Sequence, residues 1–219
     1  MPVLLIADDH PLFREALKGA VARGIGQAEI HEADSARALF TLIEQQPDAD
    51  LLLLDLHMPG AEGFGALVHL RGLYPQLPVV VVSAHEEASV MRRAMDHGAA
   101  GFIPKSANSE TLIQAISAVL DGELWLPTAI DEVPGVSDQE ADIAARIRDL
   151  TPQQLRVLGM LAEGLLNKQI GYELGVSEAT VKAHMTAILR KLGASNRTQA
   201  VVLASQLTLK PQPLGTSFD

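Results

Sequence analysis

At 219 residues the chain has room for one large domain or two modest ones, each able to bury a core. Its 47% hydrophobic and 20% charged content is that of a globular protein, and no apolar run approaches the roughly 18 residues that span a bilayer. The absence of cysteine excludes disulfides, thiolate metal sites and thiol nucleophiles, and the net charge of −10 is unevenly spread. Residues 151–210 carry seven basic against three acidic residues, a local balance of +4, which predicts two domains with the basic one facing a polyanion. Met1 to Ala7 has no basic flank and meets Asp8-Asp9 at once, so no signal peptide is expected and the expected location is cytoplasmic.

Strand-like and helix-like patterns alternate through the first 120 residues. Val3 to Ala7 is a first strand, and Pro11 to Arg23 an amphipathic helix with Leu12, Phe13, Ala16, Leu17 and Ala20 at helical spacing. Glu29-Ile30-His31 is a short second strand, followed by a helix over Ser35 to Gln46. Leu51 to Leu54 is a continuous apolar run closed by Asp55, the mark of a strand buried on both faces of a parallel sheet. Met58-Pro59-Gly60 forces a turn, and Glu62 to Tyr74 is the next predicted helix. Val79 to Val82 ends at Ser83-Ala84, Glu86 to His97 is helical, Gly101-Phe102-Ile103 is a fifth strand, and Ser109 to Leu120 closes the series. Five such units predict an α/β, doubly wound, five-stranded parallel sheet with right-handed crossovers.

In such a sheet every strand ends on one edge, where ligands bind. Asp8, Asp9, Asp55, Ser83 and Lys105 all follow predicted strands, so strand order 2-1-3-4-5 would crowd three carboxylates together at the switch point. Three carboxylates repel one another unless a cation joins them, and an oxygen-only site with room for water suits Mg²⁺. A phosphoryl group on Asp55 would need that cation, the Lys105 ammonium and a Ser83 hydrogen bond to offset its charge.

Residues 3 to 120 resemble the receiver domain of two-component response regulators. The resemblance rests on Asp8-Asp9-His10-Pro11-Leu12, Asp55-Leu56-His57-Met58-Pro59-Gly60, Ser83-Ala84 and Gly101-Phe102-Ile103-Pro104-Lys105. It implies that Asp55 is the phospho-acceptor and that Asp9 and Asp55 bind Mg²⁺ (or Mn²⁺), with Asp8 acting through water and the His57 backbone carbonyl completing the protein ligands. Ser83 would be the switch hydroxyl, and Phe102 the aromatic that turns inward when Ser83 moves. His57 and His85, two positions after Asp55 and Ser83, would tune dephosphorylation, or else be surface histidines without a role. Many receivers have a proline after the lysine; here Pro104 precedes Lys105, so a cis bond after the lysine is not expected.

From Asp121 to Leu150 the pattern loosens. Pro127, Pro134 and Gly135 interrupt it, and acidic residues gather at 131, 132, 138, 140 and 142, as at a domain boundary. Ser137 to Arg148 still has helical character, with Ser137 as cap, Glu140 three residues on, and Ile143, Ala144 and Ile147 on one face. The expected division is 1–121, a linker over 122–149 that is either helical or a loose tether, 150–210, and a tail over 211–219.

Beyond the linker, Thr151-Pro152-Gln153-Gln154 opens a helix with a capping box. Asn167 to Leu174 is a second helix, Gly175-Val176-Ser177 a turn, and Glu178 to Leu192 a third helix ended by Gly193. A fourth starts at Ser195-Asn196-Arg197-Thr198, giving an all-α helix-turn-helix domain of four helices. On the third helix Val181, Met185, Ile188, Leu189 and Leu192 form a buried stripe. Ala179, Lys182, Ala183, Thr186 and Arg190 form an outer face suited to a major groove.

This stretch resembles the LuxR-type (NarL/FixJ-type) helix-turn-helix. The matching residues are Leu150-Thr151-Pro152, Gly164, Asn167-Lys168-Gln169-Ile170, Leu174, Val176-Ser177, Thr180-Val181-Lys182, His184, Leu189 and Lys191-Leu192. The family's usual Glu and Ala are Gln169 and Gly171, and Gly171 should weaken its helix by about 1 kcal/mol. The resemblance implies that Lys182, Ala183 and Thr186 face bases, that Lys168, Thr180, Arg190 and Lys191 touch phosphates, and that the last helix, with Val201, Val202 and Ala204, dimerises. Together the two resemblances imply a DNA-binding transcriptional regulator that is not an enzyme or a membrane protein. A histidine kinase would phosphorylate it on Asp55, and it would act as a homodimer on double-stranded DNA. Two alternatives are a phosphohydrolase using Asp55, which would lack an acid at position 57, and a phosphorylation-independent regulator whose receiver is only a dimerisation scaffold.

Overall fold

The computed structural model describes residues 1–126, 130 and 133–208. Pro127, the acidic residues at 131 and 132, Lys210 and the tail 211–219 lie outside the described residues. The chain begins with β1 (Val3–Ala7), α1 (Pro11–Gly24), β2 (Glu29–Ala33), α2 (Ala36–Gln45), β3 (Leu51–Asp55) and two short strands, β4 (His57–Met58) and β5 (Ala61–Glu62). It continues through α3 (Gly65–Leu73), β6 (Val79–Ser83), α4 (Ala88–Asp96), β7 (Gly101–Pro104) and α5 (Ser109–Leu120).

The five long strands are all parallel and lie in the order β2-β1-β3-β6-β7, as the sequence led us to expect. The unbroken apolar runs follow from burial on both faces. Leu51 and Leu53 pack with Ile6, Val80, Val82 and Ile103 beneath α1 and α5. Leu52 and Leu54 pack with Leu5, Val79, Val81 and Phe102 on the other face, beneath α2, α3 and α4.

One boundary differs substantially from expectation. Helix α3 starts at Gly65 and not at residue 62, because β4 and β5 pair as a small antiparallel hairpin around Pro59-Gly60. Gly60 (φ 75°) and Gly63 (φ 76°) supply the left-handed backbone that this reversal requires. The residues following Asp55 are therefore a structured loop. Its far end is tied back by the Gly63 N–H donating to the Leu56 carbonyl at 2.8 Å.

Helix α3 has no solvent-facing side through its first half: Ala66, Leu67, Val68, His69 and Leu70 are all buried. Its outer face is covered by α6 (Asp138–Arg148), which lies between the two sequence domains. Ser137 caps α6 as expected, its Oγ accepting from the Glu140 N–H. Ile143, Ala144 and Ile147 are buried, and the two isoleucines contribute roughly 1.5–3 kcal/mol each if fully removed from water. Close approach is helped by Gly72, where a Cβ would meet Arg148 at 3.0 Å.

Four helices follow: α7 (Pro152–Ala162), α8 (Asn167–Leu174), α9 (Glu178–Leu192) and α10 (Arg197–Ser205). Thr151 and Gln154 form the predicted capping box, and Gly175 and Gly193 end α8 and α9 in left-handed conformations. Gln169 does the work expected of a glutamate, accepting the Leu166 N–H at 2.7 Å. Gly171 is more than a weak helix former. A Cβ there would lie 2.8 Å from the Val176 carbonyl oxygen, so the tight α8–α9 turn offsets its helix cost. Val181, Ile188 and Leu192 join one hydrophobic cluster that runs without a break through α6 and α3 to the sheet.

His69 is the polar exception within that cluster. Its ring is fully buried, meets Phe40 edge-on at 5.4 Å, and neither nitrogen has a well-directed hydrogen bond. Burial holds its pKa below the ordinary 6.5; the nearby Ile147 backbone opposes that shift and the charge of Lys191 adds to it. A depressed histidine pKa means the unfolded chain binds the proton first, so this contribution is complete above pH 6.5 and is lost as the pH falls below it. We expect urea unfolding to show wild-type stability falling between pH 7 and pH 5.5 by up to about 1.4 kcal/mol per pH unit more than His69→Leu. Equal losses in the two proteins would refute this account.

Candidate functional site

The carboxyl edge of the sheet gathers the polar strand ends. Asp8 and Asp9 follow β1, Asp55 ends β3, Ser83 ends β6, and Lys105 follows β7. Because β1 and β3 are hydrogen-bonded neighbours, Asp8 and Asp55 are brought together despite the 46 residues between them. Lys105 reaches both, its Nζ 2.8 Å from Asp55 Oδ2 and 2.6 Å from Asp8 Oδ2. Its own backbone N–H donates to the Ser83 carbonyl at 2.8 Å, and its ammonium lies 4.9 Å from the centre of the Phe13 ring.

Asp8 and Asp55 are almost wholly buried. Burial raises the Asp55 pKa above the ordinary carboxylate value, and the charge of Asp8 adds to the effect. Lys105 and the His57 backbone N–H pull it down without cancelling the rise. Burial works against the Lys105 ammonium, yet its hydrogen bonds to Asp55 and Asp8 prevail and raise its pKa. One amine therefore counters two acids, with a negative charge left over.

Asp8, Asp9, His10 and Asp55 each offer a ligand atom within 4.8 Å of the others. Asp8 Oδ2 and Asp9 Oδ1 are shielded from solvent and lack a well-directed hydrogen bond, although Lys105 and His10 lie alongside them. A converging set of hard oxygens with unused lone pairs fits a divalent cation. His10 belongs to the Asp8-to-Leu12 motif but carries no expected role; its Nδ1 is 2.6 Å from Asp9 Oδ1 and 3.2 Å from Asp8 Oδ1. A cleft of about 590 Å³ opens over Asp55, bordered by His10, Phe13, His57, Ser83, His85 and Lys105. Ser83 Oγ accepts the His85 N–H at 3.1 Å, and Phe102 is fully buried, so its ring is already inside. Phe13, expected only within the amphipathic stripe of α1, thus also borders the site.

The second domain presents a separate surface. Ser177 caps α9, accepting the Thr180 N–H, and α8 packs against α9 across the Gly175 turn. Lys182, Ala183, Thr186 and Arg190 are exposed together on one face of α9, with Thr180 near its start and Lys168 exposed on α8. Among the described residues Lys182 pairs only with Glu178 one turn earlier, an exposed contact of little energetic weight, and the Thr186 hydroxyl donates to the Lys182 carbonyl. Lys191 is placed differently. Its ammonium donates to the Asp149 carbonyl at 2.6 Å and to Gln154 Oε1 at 2.8 Å, bracing α9 against the start of α7. On α10, Val201 and Ala204 are half-buried while Val202 is exposed.

Comparisons with known proteins agree with both halves. Residues 4–117 match the response regulator receiver domain, and residues 148–204 match the bacterial regulatory proteins of the luxR family. The glycerol metabolism activator of Pseudomonas putida is 41% identical over 210 residues, covering 93% of this chain and 95% of that protein. The nitrate/nitrite response regulator NarL of Escherichia coli K12 is 34% identical over 207 residues, covering 93% and 94%. Among solved structures, the RcsB response regulator of Salmonella typhimurium shares the fold at 22% identity with a TM-score of 0.55, covering 94% and 98%. Among the described residues no helix is long and apolar enough to cross a membrane. The chain therefore belongs to the response regulators that join a receiver domain to a LuxR-type helix-turn-helix, a family of DNA-binding transcriptional regulators.

Proposed function

We propose that Asp55 accepts a phosphoryl group from a sensor histidine kinase and that this governs DNA binding by the second domain. The observation that carries the reading is the Lys105 ammonium held between Asp55 and Asp8 at 2.8 and 2.6 Å, beneath an open cleft. An Asp55 oxygen attacks phosphorus, the bond to the kinase imidazole breaks, and the imidazole leaves with its electron pair. Lys105 already touches the attacking carboxylate and can follow the new phosphoryl oxygens, while Ser83 can donate to one of them. Asp8, Asp9, Asp55 and the His57 carbonyl would hold Mg²⁺ or Mn²⁺, which when bound offsets charge on the transferred group. His57 and His85, at the rim of the cleft, would govern water access to the phosphoryl group.

In this reading residues 1–121 are the receiver and 150–210 the DNA-binding domain. The protein is cytoplasmic, is not an enzyme, and acts as a homodimer on double-stranded DNA. Lys182, Ala183 and Thr186 meet base edges, and Lys168, Thr180 and Arg190 meet phosphates. We assign Lys191 to bracing α9, since its ammonium already has two partners.

Acetyl phosphate with Mg²⁺ should add the mass of one phosphoryl group to the wild type and none to Asp55→Asn. A wild type that gains no mass would leave the receiver as a scaffold only. In DNA selected from a random pool, Thr186→Ala should cost about 1–3 kcal/mol and relax preference at one position. Lys168→Ala should weaken all sequences alike and lower the salt slope by about one. Identical salt slopes for Lys168→Ala and wild type would remove Lys168 from the contact surface.

A further inference from the structure

The imidazole of His10 stands among the acids of the first domain with no part in the proposed phosphoryl transfer. Its backbone is tied on both sides. The His10 N–H donates to Asp8 Oδ1 at 2.7 Å, and its carbonyl accepts the N–H groups of Phe13 and Arg14, both at 3.1 Å, as Pro11 opens α1. Arg14 adds a further tie, its Nη1 donating to the Asp8 carbonyl at 2.6 Å. The ring is carried by this fixed stretch with Nδ1 turned inward, 2.6 Å from Asp9 Oδ1 and 3.2 Å from Asp8 Oδ1. The side chain is 62% exposed at the rim of the cleft, so an ion can reach it from solvent.

A neutral imidazole offsets none of the carboxylates' charge. It supplies a nitrogen lone pair to the space between them whenever its proton sits on the outward Nε2. Asp8 is 1% exposed, yet its Oδ2, beside Lys105, lacks a well-directed hydrogen bond, as does the shielded Oδ1 of Asp9. Asp8, Asp9, His10 and Asp55 thus bring four donor atoms within 4.8 Å of one another, three oxygens and one nitrogen. Mg²⁺ takes oxygen ligands and keeps several waters, so it has no use for the nitrogen. Zn²⁺ accepts imidazole and carboxylate together and is satisfied by four donors.

We propose that His10 is a metal ligand and that its nitrogen makes the acidic site prefer Zn²⁺ to Mg²⁺. Four protein donors close the coordination of Zn²⁺ and occupy an Asp55 oxygen, so the ion holds the first domain unphosphorylated. This blocking role rests on the reading of Asp55 as phospho-acceptor; the ligation by His10 does not. The protein then registers a transition-metal ion as well as a kinase.

The test uses the full-length protein, titrated calorimetrically with Zn²⁺ alone or Mg²⁺ alone, and loaded with Co²⁺ as a spectroscopic substitute for Zn²⁺. Wild type should bind Zn²⁺ more tightly than Mg²⁺. His10→Gln should lose roughly ten-fold or more in Zn²⁺ affinity while its Mg²⁺ affinity stays that of wild type, which also shows that the acids keep their places. Proton NMR of the Co²⁺-loaded wild type should show an exchangeable imidazole N–H shifted by the ion. That signal should be absent from His10→Gln and retained in His85→Gln, which removes another ring at the rim of the same cleft. An unchanged Zn²⁺ affinity in His10→Gln, or an N–H signal that persists there, overturns the inference. A Zn²⁺ affinity that rises also overturns it, since a ring that only pairs with Asp9 would compete with the ion. Added Zn²⁺ should suppress the mass gained from acetyl phosphate and Mg²⁺ in wild type at concentrations that leave His10→Gln phosphorylated. Zn²⁺ binding that depends on His10 without this suppression overturns the blocking role. A wild type that gains no mass with Mg²⁺ alone overturns the Asp55 reading instead, and the calorimetry and NMR then decide the ligation by themselves.

Discussion

Two carboxylates, Asp8 and Asp55, are taken almost wholly out of water at the edge of the sheet and share a single ammonium. Burial of like charges at this separation is unfavourable, and the structure meets it by bringing Lys105 in from the fifth strand of the sheet. That constraint explains the surrounding details. Phe13 lies beside the amine, Ser83 supplies a backbone carbonyl to hold the Lys105 N–H, and the shielded oxygens of Asp8 and Asp9 point toward a common space. Asp8, Asp9, His10 and Asp55 leave a cluster of ligand atoms there that could hold a divalent cation.

Disturbance at Asp55 has a defined route outward because the following residues form a hydrogen-bonded unit. The β4–β5 hairpin and the Gly63-to-Leu56 bond tie the loop from residue 56 to residue 64 to itself. Its far end lies against Leu207, and Gly60 at its tip lies against α7, where a Cβ on Gly159 would be 3.1 Å from the Gly60 carbonyl oxygen. Backbone contacts of this kind leave no side chain to yield. A small rotation of the loop must either carry the second domain with it or break the contact.

The domains are also welded through α3. A helix whose first half is buried on every side needs cover on its outer face, and α6 provides it with Ile143, Ala144 and Ile147. The result is one apolar cluster running from the sheet to α9, with Arg93, His97 and Glu140 as a charged inclusion near its edge. The apolar contact supplies most of the attraction, and within it Arg93 and His97 both meet Glu140.

The receiver resemblance implied the strand order, and the amino-acid sequence alone determined the two-domain plan, the polar strand ends and the outer face of α9. These depend on local periodicity, on turn chemistry and on the rule that parallel strands end on one edge. Asp55, Asp8, Ser83 and Lys105 were legible because each follows an apolar run, and the end of α9 was legible from Gly193. The linker helix was legible as far as its Ser137 cap; that it would dock was not, although Ala66-Leu67-Val68-His69-Leu70 is too apolar for a helix with a wet face. Only the tertiary structure decided the role of Glu140, which the pattern presented as part of an N-terminal cap and which instead lies buried against Arg93 and His97. It also decided that Lys191 braces α9 and that Gly171 fits a turn too tight for alanine. Those outcomes depend on contacts between residues far apart in the chain, and a sequence pattern carries no information on which distant surfaces will meet.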